Sequence, residues 1–322
     1  MGRIKRRSRA ELPLYQPNLD IDNFNGLDHG NDVPPLINRL GTKRSNVRLE
    51  VIEGDHGQMF VNLMVVLNVA VFTWSMYLND WQFEPLSINP TFGPSAAVLD
   101  DLGAKNTAKI VRDNEWHRLF TPMFLHGGII HIGLNMLMLK RLGGSIEESF
   151  GYFRIAIIYF ASGVSGVLAS CVFLPATLSV GASGALYGLI GALYGDFLHN
   201  WKTMLEGRTK YLISLIVNTI IGLCIGLLPM IDNFAHVGGA IAGFLLGSIL
   251  LVMPNRDIDG DRIQPWYADA LKVVSAILLV LWFGLLSYFL VLERDAHEWC
   301  SFCRYVSCVD TPWWSCNVQT AS

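Results

Sequence analysis

Residues 233–253 read NFAHVGGAIAGFLLGSILLVM, and this predominantly apolar stretch without a charged residue decides the fold class. A transmembrane α-helix needs about 20 such residues to cross the hydrocarbon layer. Six further stretches have the same character: 58–79, a segment within 119–145, 153–173, Ser183 to Asp196, 211–230 and 273–292. The sequence therefore predicts an all-α protein, a polytopic membrane helical bundle with seven spans.

The composition agrees with a bilayer environment. Hydrophobic residues make up 52% of the chain, charged residues only 16%, and the mean hydropathy is +0.37. A soluble domain usually carries about 25% charged residues. The net charge of -3 gives no indication of a nucleic-acid partner.

The distribution of basic residues predicts the orientation. The polar residues 1–57, expected to be a disordered tail, are rich in Arg, and further Lys and Arg residues lie in the loops after the second, fourth and sixth spans. The short connections 174–182 and 231–232 contain none. Because cytosolic loops carry the excess of basic residues, we expect a cytosolic N-terminus and an extracytosolic C-terminus.

Four segments follow from this topology. After the tail, residues 58–254 hold six spans, residues 255–292 hold a cytosolic loop and the seventh span, and residues 293–322 form an extracytosolic tail. This tail contains Cys300, Cys303, Cys308 and Cys316. Their spacing is compatible with a zinc site, but an oxidising compartment favours two disulfides and no metal, with three pairings open.

Polar residues within membrane spans are costly and often functional. Here they lie at the outer ends of three spans that run in the same direction: His126, His131 and Asn135 in the second, Ser183 in the fourth and His236 in the sixth. His131 and Asn135 are four residues apart and share a helix face. The topology therefore predicts that these groups lie at one level near the outer surface.

Glycine stripes on the fourth and sixth spans support a meeting of Ser183 and His236. Small residues at helical spacing let two backbones approach closely. The stripes are Gly184, Gly188, Gly191 and Gly195, and Gly239, Gly243 and Gly247. A serine in a membrane helix more often bonds the carbonyl four residues before it, and a lone histidine can be a packing residue or a proton relay. The coincidence of all three groups favours a catalytic arrangement.

The motifs resemble those of the rhomboid family of intramembrane serine proteases. The resemblance covers about residues 110–254, with similarity through both flanking spans. Its elements are Trp116-His117-Arg118, His126-x4-His131-x3-Asn135, Gly143-Gly144-Ser145-Ile146-Glu147 with Gly151, Gly181-Ala182-Ser183-Gly184, Tyr187, and Ala235-His236-x2-Gly239-x3-Gly243. His117 stands where the family more often has an aromatic residue.

This resemblance implies a six-helix rhomboid core with one extra C-terminal helix. It implies a serine endopeptidase without a cofactor, in which Ser183 is the nucleophile and His236 the general base. His131 and Asn135, with the Ser183 N–H, would stabilise the oxyanion, and Tyr187 would stack on His236. Supporting positions are His126, Gly181, Gly184 and Gly239, whereas Trp116, Arg118 and Glu147 are expected to be scaffold.

The implied substrates are single-pass membrane proteins cut within or near their transmembrane helix. The extra C-terminal helix resembles secretory-pathway members, which implies the Golgi, endosomal or plasma membrane rather than mitochondria. Asp232, one turn before His236, could form a catalytic triad with His236 and Ser183, but we expect it to be solvated.

Two other classes of protein are considered. One is a non-catalytic relative that binds client helices, which would lack Ser183 or His236. The other is a transporter, which would need polar midplane residues and repeated halves.

The topology makes a direct prediction. A tag placed after Ser322 should be digested by protease added to the non-cytosolic side of sealed vesicles. The basic residues place the N-terminus in the cytosol, and the seven predicted spans then place the C-terminus on the other side. A tag at Met1 is the matched control and should be protected. Protection of the C-terminal tag would contradict the assignment.

Overall fold

The computed structural model describes residues 57–201, 207–227, 231–252 and 266–292, together with Cys303 and Val306. The predicted N-terminal tail, the cytosolic loop 255–265 and nearly all of the Cys-rich tail lie outside the described residues. Over the described part the chain is helical without a strand, apart from one bridge between Lys105 and Ser179. The all-α prediction is confirmed.

Ten α-helices are described. They are α1 (Met59–Leu78), α2 (Ala96–Asp101), α3 (Thr107–Arg112), α4 (Ile129–Met138), α5 (Gly144–Phe150), α6 (Tyr152–Phe173), α7 (Ser183–Asn200), α8 (Arg208–Ile225), α9 (Asn233–Leu250) and α10 (Trp266–Val291). Two 3₁₀ turns, Trp116–Leu119 and Thr121–Phe124, precede α4, and a π-helical turn, Leu139–Gly143, joins α4 to α5.

Five of these helices are long and apolar enough to cross a membrane: α1, α6, α8, α9 and α10. The fourth predicted span is α7, which has 18 residues and begins at Ser183 as predicted. The second is the run α4, π turn and α5, which extends from residue 129 to residue 150. A multi-pass helical membrane protein is therefore confirmed.

The helix of the second span begins at Ile129, inside the predicted segment 119–145. It starts there because Pro122 opens a 3₁₀ turn and Gly128 adopts an extended backbone. Gly128 packs against the chain before α2: a Cβ atom there would lie 2.2 Å from the carbonyl oxygen of Thr91. The helix of the seventh span begins at Trp266, earlier than the predicted start at residue 273.

The centre of the bundle is formed by α6, α7 and α9, and the predicted glycine faces meet there. A Cβ atom on Gly239 would lie 2.0 Å from the carbonyl oxygen of Gly184, and one on Gly243 would lie 1.9 Å from that of Gly188. The same holds for a glycine of α7: a Cβ atom on Gly191 would lie 2.1 Å from the carbonyl oxygen of Ala240 on α9. The two backbones are therefore in contact along their length, which only glycine permits.

Two buried charged side chains hold segments outside this central helix packing in place. The Glu147 carboxylate accepts hydrogen bonds from the N–H groups of Phe60 (2.7 Å) and Val61 (2.9 Å), which lack helical partners at the start of α1. Arg118 is 3% exposed and donates to the Ala104 carbonyl (2.7 Å) and the Asp100 carboxylate (3.0 Å). These contacts agree with scaffold roles for both residues.

Lys105 fixes the loop that leads into α7. Its ammonium group donates to the carbonyls of Leu174 (2.6 Å) and Thr177 (2.5 Å), and its backbone pairs with Ser179. Burial lowers the pKa of Lys105, which lies in the loop between α2 and α3. The loop 174–182 before Ser183 is thus held by the outer segment that contains Lys105.

The glycine contact predicts a stability effect. Gly243→Ala should lower the Tm in detergent by at least about 3 °C, because its methyl group overlaps a backbone atom that cannot move without separating α7 from α9. The matched control is Gly284→Ala on α10, where a Cβ atom would meet nothing within 4 Å. Equal melting temperatures for the two variants would contradict the close contact.

Candidate active site

Ser183 and His236 meet at the outer ends of α7 and α9. Ser183 is the first residue of α7, and His236 lies in the first turn of α9. The Ser183 Oγ atom lies 2.8 Å from the Nε2 atom of His236, within hydrogen-bond distance. His236 is 2% exposed, whereas Ser183 is partly accessible. The approach of Gly239 to Gly184 brings the two side chains together.

The ring of Tyr187 holds the imidazole of His236 from one side. The two rings are stacked, with centroids 4.2 Å apart and planes inclined by 6°. The Tyr187 hydroxyl donates to the carbonyl oxygen of Thr219 on α8 (3.1 Å), which fixes the phenol in turn. This is the stacking that the resemblance implied.

Asn233 is a contact of His236 that the sequence analysis missed. Its Oδ1 atom lies 3.0 Å from the Nδ1 atom of His236, on the side of the ring away from Ser183. The signal was available, because an amide side chain three residues before a histidine shares its helix face. Asp232, a carboxylate four residues before His236, is by its chemistry the more usual third member of a triad.

Asp232 is not solvated, and that expectation is wrong. The residue is 4% exposed, and its Oδ1 atom caps α9 by accepting from the N–H groups of Phe234 (2.9 Å) and Ala235 (3.1 Å). Its other oxygen accepts from the hydroxyl of Ser170 on α6. A residue just before a helix is ideally placed to cap its free amides, and this role takes the carboxylate away from His236.

His131 presents a hydrogen-bond donor towards the Ser183 side of the site. Its Nδ1 atom accepts from the Gly127 N–H (3.3 Å), so a neutral ring carries its proton on Nε2. This Nε2 atom is buried without a partner among the described residues. A Cβ atom on Gly181 would lie 2.8 Å from it and 3.6 Å from the Ser183 Oγ atom.

The other residues of the second-span motif surround His131. His126 is fully buried, and its ring packs edge-on against that of His131 with centroids 5.4 Å apart. Asn135 is buried, and its Nδ2 atom donates to the carbonyl of His131 (2.8 Å). One of its two amide N–H bonds is thus used within α4, and its role at an oxyanion stays a prediction.

Gly181 shapes the entry to α7. Its φ angle of +130° is unfavourable for any residue with a side chain, and its N–H donates to the Pro122 carbonyl (2.8 Å). The first N–H groups of α7, from Ser183 onwards, have no acceptor within the helix and carry the positive end of its dipole. An oxyanion beside Ser183 would lie at this end.

A narrow cleft opens beside Ser183. Its lining is apolar or small apart from Ser183, Ser179 and Asp232, and includes Met123, Gly163, Val167, Val180 and Ala235. Among the residues that the structure describes, there is no group of three His, Cys, Asp or Glu side chains that could hold a metal ion. The chemistry available here is that of a hydroxyl, an imidazole and hydrogen-bond donors.

The fold and the site define a polytopic helical membrane protein with a serine–histidine pair on two closely packed helices. A family model described as Rhomboid domain matches residues 113–253. The chain is 38% identical over 283 residues to RHOMBOID-like protein 4 of Arabidopsis thaliana, covering 80% of this chain and 71% of the relative. This chain belongs to the rhomboid family.

Two further relatives from Arabidopsis thaliana bear on compartment and activity. RHOMBOID-like protein 6, mitochondrial, is 38% identical over 283 residues, covering 79% of this chain and 92% of the relative. Inactive RHOMBOID-like protein 8 is 32% identical over 294 residues, covering 81% of this chain and 84% of the relative. Membership of the family therefore fixes neither the compartment nor the presence of activity.

The stacking of Tyr187 on His236 predicts the reactivity of Ser183. In Tyr187→Leu, a fluorophosphonate should modify Ser183 about fivefold more slowly, because the stacking contact is worth roughly 1 kcal/mol. Tyr187→Phe keeps the ring and should react within about threefold of the wild-type rate. The labelling rate is followed by mass spectrometry. A Tyr187→Phe protein as slow as Tyr187→Leu would show that the hydroxyl, not the ring, orients His236.

Proposed function

We propose that this protein is an intramembrane serine endopeptidase that cuts single-pass membrane proteins within or near their transmembrane helix. The observation that carries the proposal is the 2.8 Å distance between the Ser183 hydroxyl and the His236 imidazole at a cleft among membrane helices. A nucleophile within hydrogen-bond reach of an oriented base is the arrangement that acyl transfer requires.

The reaction needs only groups of this chain and water. The Nε2 atom of His236 takes the proton of Ser183 as the Oγ atom attacks the scissile carbonyl carbon. The resulting oxyanion would receive hydrogen bonds from the Ser183 N–H, His131 and Asn135. His236 then gives its proton to the leaving amine, which breaks the peptide bond and leaves an ester on Ser183. Water, deprotonated by His236, hydrolyses this ester and restores the hydroxyl.

The cleft restricts the substrate. Its narrow walls near Ser183, which include Gly163, Val167 and Val180, would favour a substrate with small side chains beside the scissile bond. The substrate helix must also unwind to expose an amide, because helical hydrogen bonds hide its carbonyls. Gly or Pro in the substrate span would therefore favour cleavage.

The protein's setting in the cell is part of the proposal. The basic loops support a cytosolic N-terminus and an active site that faces the extracytosolic side. The Cys-rich tail would then lie in an oxidising compartment of the secretory pathway, such as the Golgi, endosomes or plasma membrane. Disulfides rather than zinc in this tail are part of the proposal, and the disulfide-bonded state of Cys303 supports them.

A second function is non-catalytic binding of client helices. The observation that favours it is the 32% identity to a relative named inactive. The presence of both Ser183 and His236 at bonding distance favours the protease. Under the binding function the two side chains would be dispensable.

The dyad is tested by substitution in the full chain. Ser183→Ala and His236→Ala should each lower cleavage of a model single-pass substrate at least about 10³-fold, and the double variant should be no worse, because the two residues act as a unit. Asn135→Ala should lower kcat by about 10²–10³.

The matched controls are Ser214→Ala on α8 and His199→Ala near the end of α7, which should cleave at the wild-type rate. Ser183→Ala should keep the wild-type Tm within about 3 °C, because the serine side chain is small and partly exposed. Cleavage by Ser183→Ala at the wild-type rate would contradict the protease. Retained binding of the substrate helix would then support the client-binding function.

A further inference from the structure

The side chain of Asn233 is the meeting point of three parts of the molecule. It is 2% exposed, and its Nδ2 atom donates to two backbone carbonyls, those of Leu223 on α8 (3.0 Å) and Val306 in the C-terminal tail (2.7 Å). Its Oδ1 atom faces Nδ1 of His236 at 3.0 Å. Carbonyl oxygens can only accept, so the nitrogen must face them and the oxygen must face the imidazole.

This arrangement decides which ring nitrogen of His236 carries the proton. The Oδ1 atom of Asn233 has no hydrogen to donate, so its contact with His236 is a hydrogen bond only if Nδ1 is protonated. A neutral imidazole has a single N–H, and Nε2 then has a free lone pair directed at Ser183. That is the tautomer that a general base for the Ser183 hydroxyl requires.

Helix capping does not explain Asn233. Asp232 already accepts from the free amides at the start of α9, so Asn233 is not needed for that purpose. The chain also leaves space for the amide: a Cβ atom on Gly226, at the end of α8, would lie 1.7 Å from its Oδ1 atom. The environment of Asn233 is thus built around the orientation of its amide.

The C-terminal segment that meets Asn233 is itself anchored. The Val306 N–H donates to the Cys303 carbonyl (3.1 Å), so the two residues form one turn. Cys303 is 2% exposed and disulfide-bonded. The disulfide therefore holds the turn whose carbonyl orients the Asn233 amide.

We infer that Asn233 is a positioning residue that sets the tautomer of His236, and that the disulfide-held turn of Cys303 and Val306 is an outer part of the active site because it fixes Asn233. The inference rests on the proposed protease function. It makes cleavage dependent on the redox state of the extracytosolic tail, through a chain of contacts from Cys303 to Val306, Asn233, His236 and Ser183.

The first test replaces Asn233. Asn233→Leu removes the acceptor for Nδ1 and should lower kcat about 10²-fold with KM unchanged, because the base loses its orientation while the substrate cleft is untouched. Asn233→Asp keeps an acceptor and should retain more activity. Its carboxylate favours the imidazolium, so the acid limb of the kcat/KM profile should move to higher pH. A merely structural role would not shift this limb.

Gly226→Ala should act like a mild Asn233→Leu, because its methyl group displaces the amide. Gly284→Ala on α10 is the matched control and should cleave at the wild-type rate. Wild-type kcat in Asn233→Leu, in a preparation that cleaves substrate normally, would overturn the inference and leave the protease standing.

The second test concerns the tail. Cys303→Ser should lower kcat about fivefold, the effect of losing one hydrogen bond to Asn233. Reduction with dithiothreitol should lower the wild type equally and leave Cys303→Ser unchanged. Cys224→Ser, which replaces an exposed free thiol, is the control and should respond to reduction like the wild type. A wild-type rate in Cys303→Ser would remove the tail from the active site.

A third measurement does not depend on activity, so failure of the proposed function can be told apart from failure of this inference. The ¹⁵N shifts of His236, assigned with His236→Gln, should show a protonated Nδ1 in the wild type and a mixture of tautomers in Asn233→Leu. A wild-type ring protonated on Nε2 would overturn the inference even if the protein cleaved no substrate.

Discussion

Direct contact between the backbones of α7 and α9 is the constraint on which the rest of the structure depends. At Gly191 on α7, and at Gly239 and Gly243 on α9, there is no room for even a methyl group against the backbone of the other helix. Hydrophobic burial cannot drive helices together in lipid, where the surroundings are as apolar as the side chains, so close packing must do so. That packing sets the distance between the helix ends, and the 2.8 Å separation of Ser183 and His236 follows from it.

Much of this arrangement could be predicted from the sequence because its signals are local and periodic. Apolar length identifies spans, and glycines three and four residues apart identify a face for close packing. The directions of the spans then bring Ser183 and His236 to one end. The start of the second span could not be predicted as well, because the contact of Gly128 with Thr91 joins segments far apart in the sequence.

The contacts of His236 were likewise predictable only where they are local in the sequence. Tyr187 could be placed by its position one turn after Ser183, within the same helix. The role of Asn233 could be guessed from its spacing, but its partners Leu223 and Val306 come from a different helix and from the tail. The expectation for Asp232 was wrong because its hydrogen bond from Ser170 joins segments 62 residues apart, which no local pattern shows.

The backbone contact between α7 and α9 does not depend on the two side chains that would carry out the reaction. Neither Ser183 nor His236 contributes to the backbone packing between α7 and α9, so a chain could exchange either side chain and keep its shape. Loss of activity by such an exchange would therefore leave the packing of α7 against α9 in place. An inactive chain with the same architecture is compatible with this packing, and one relative at 32% identity is named inactive.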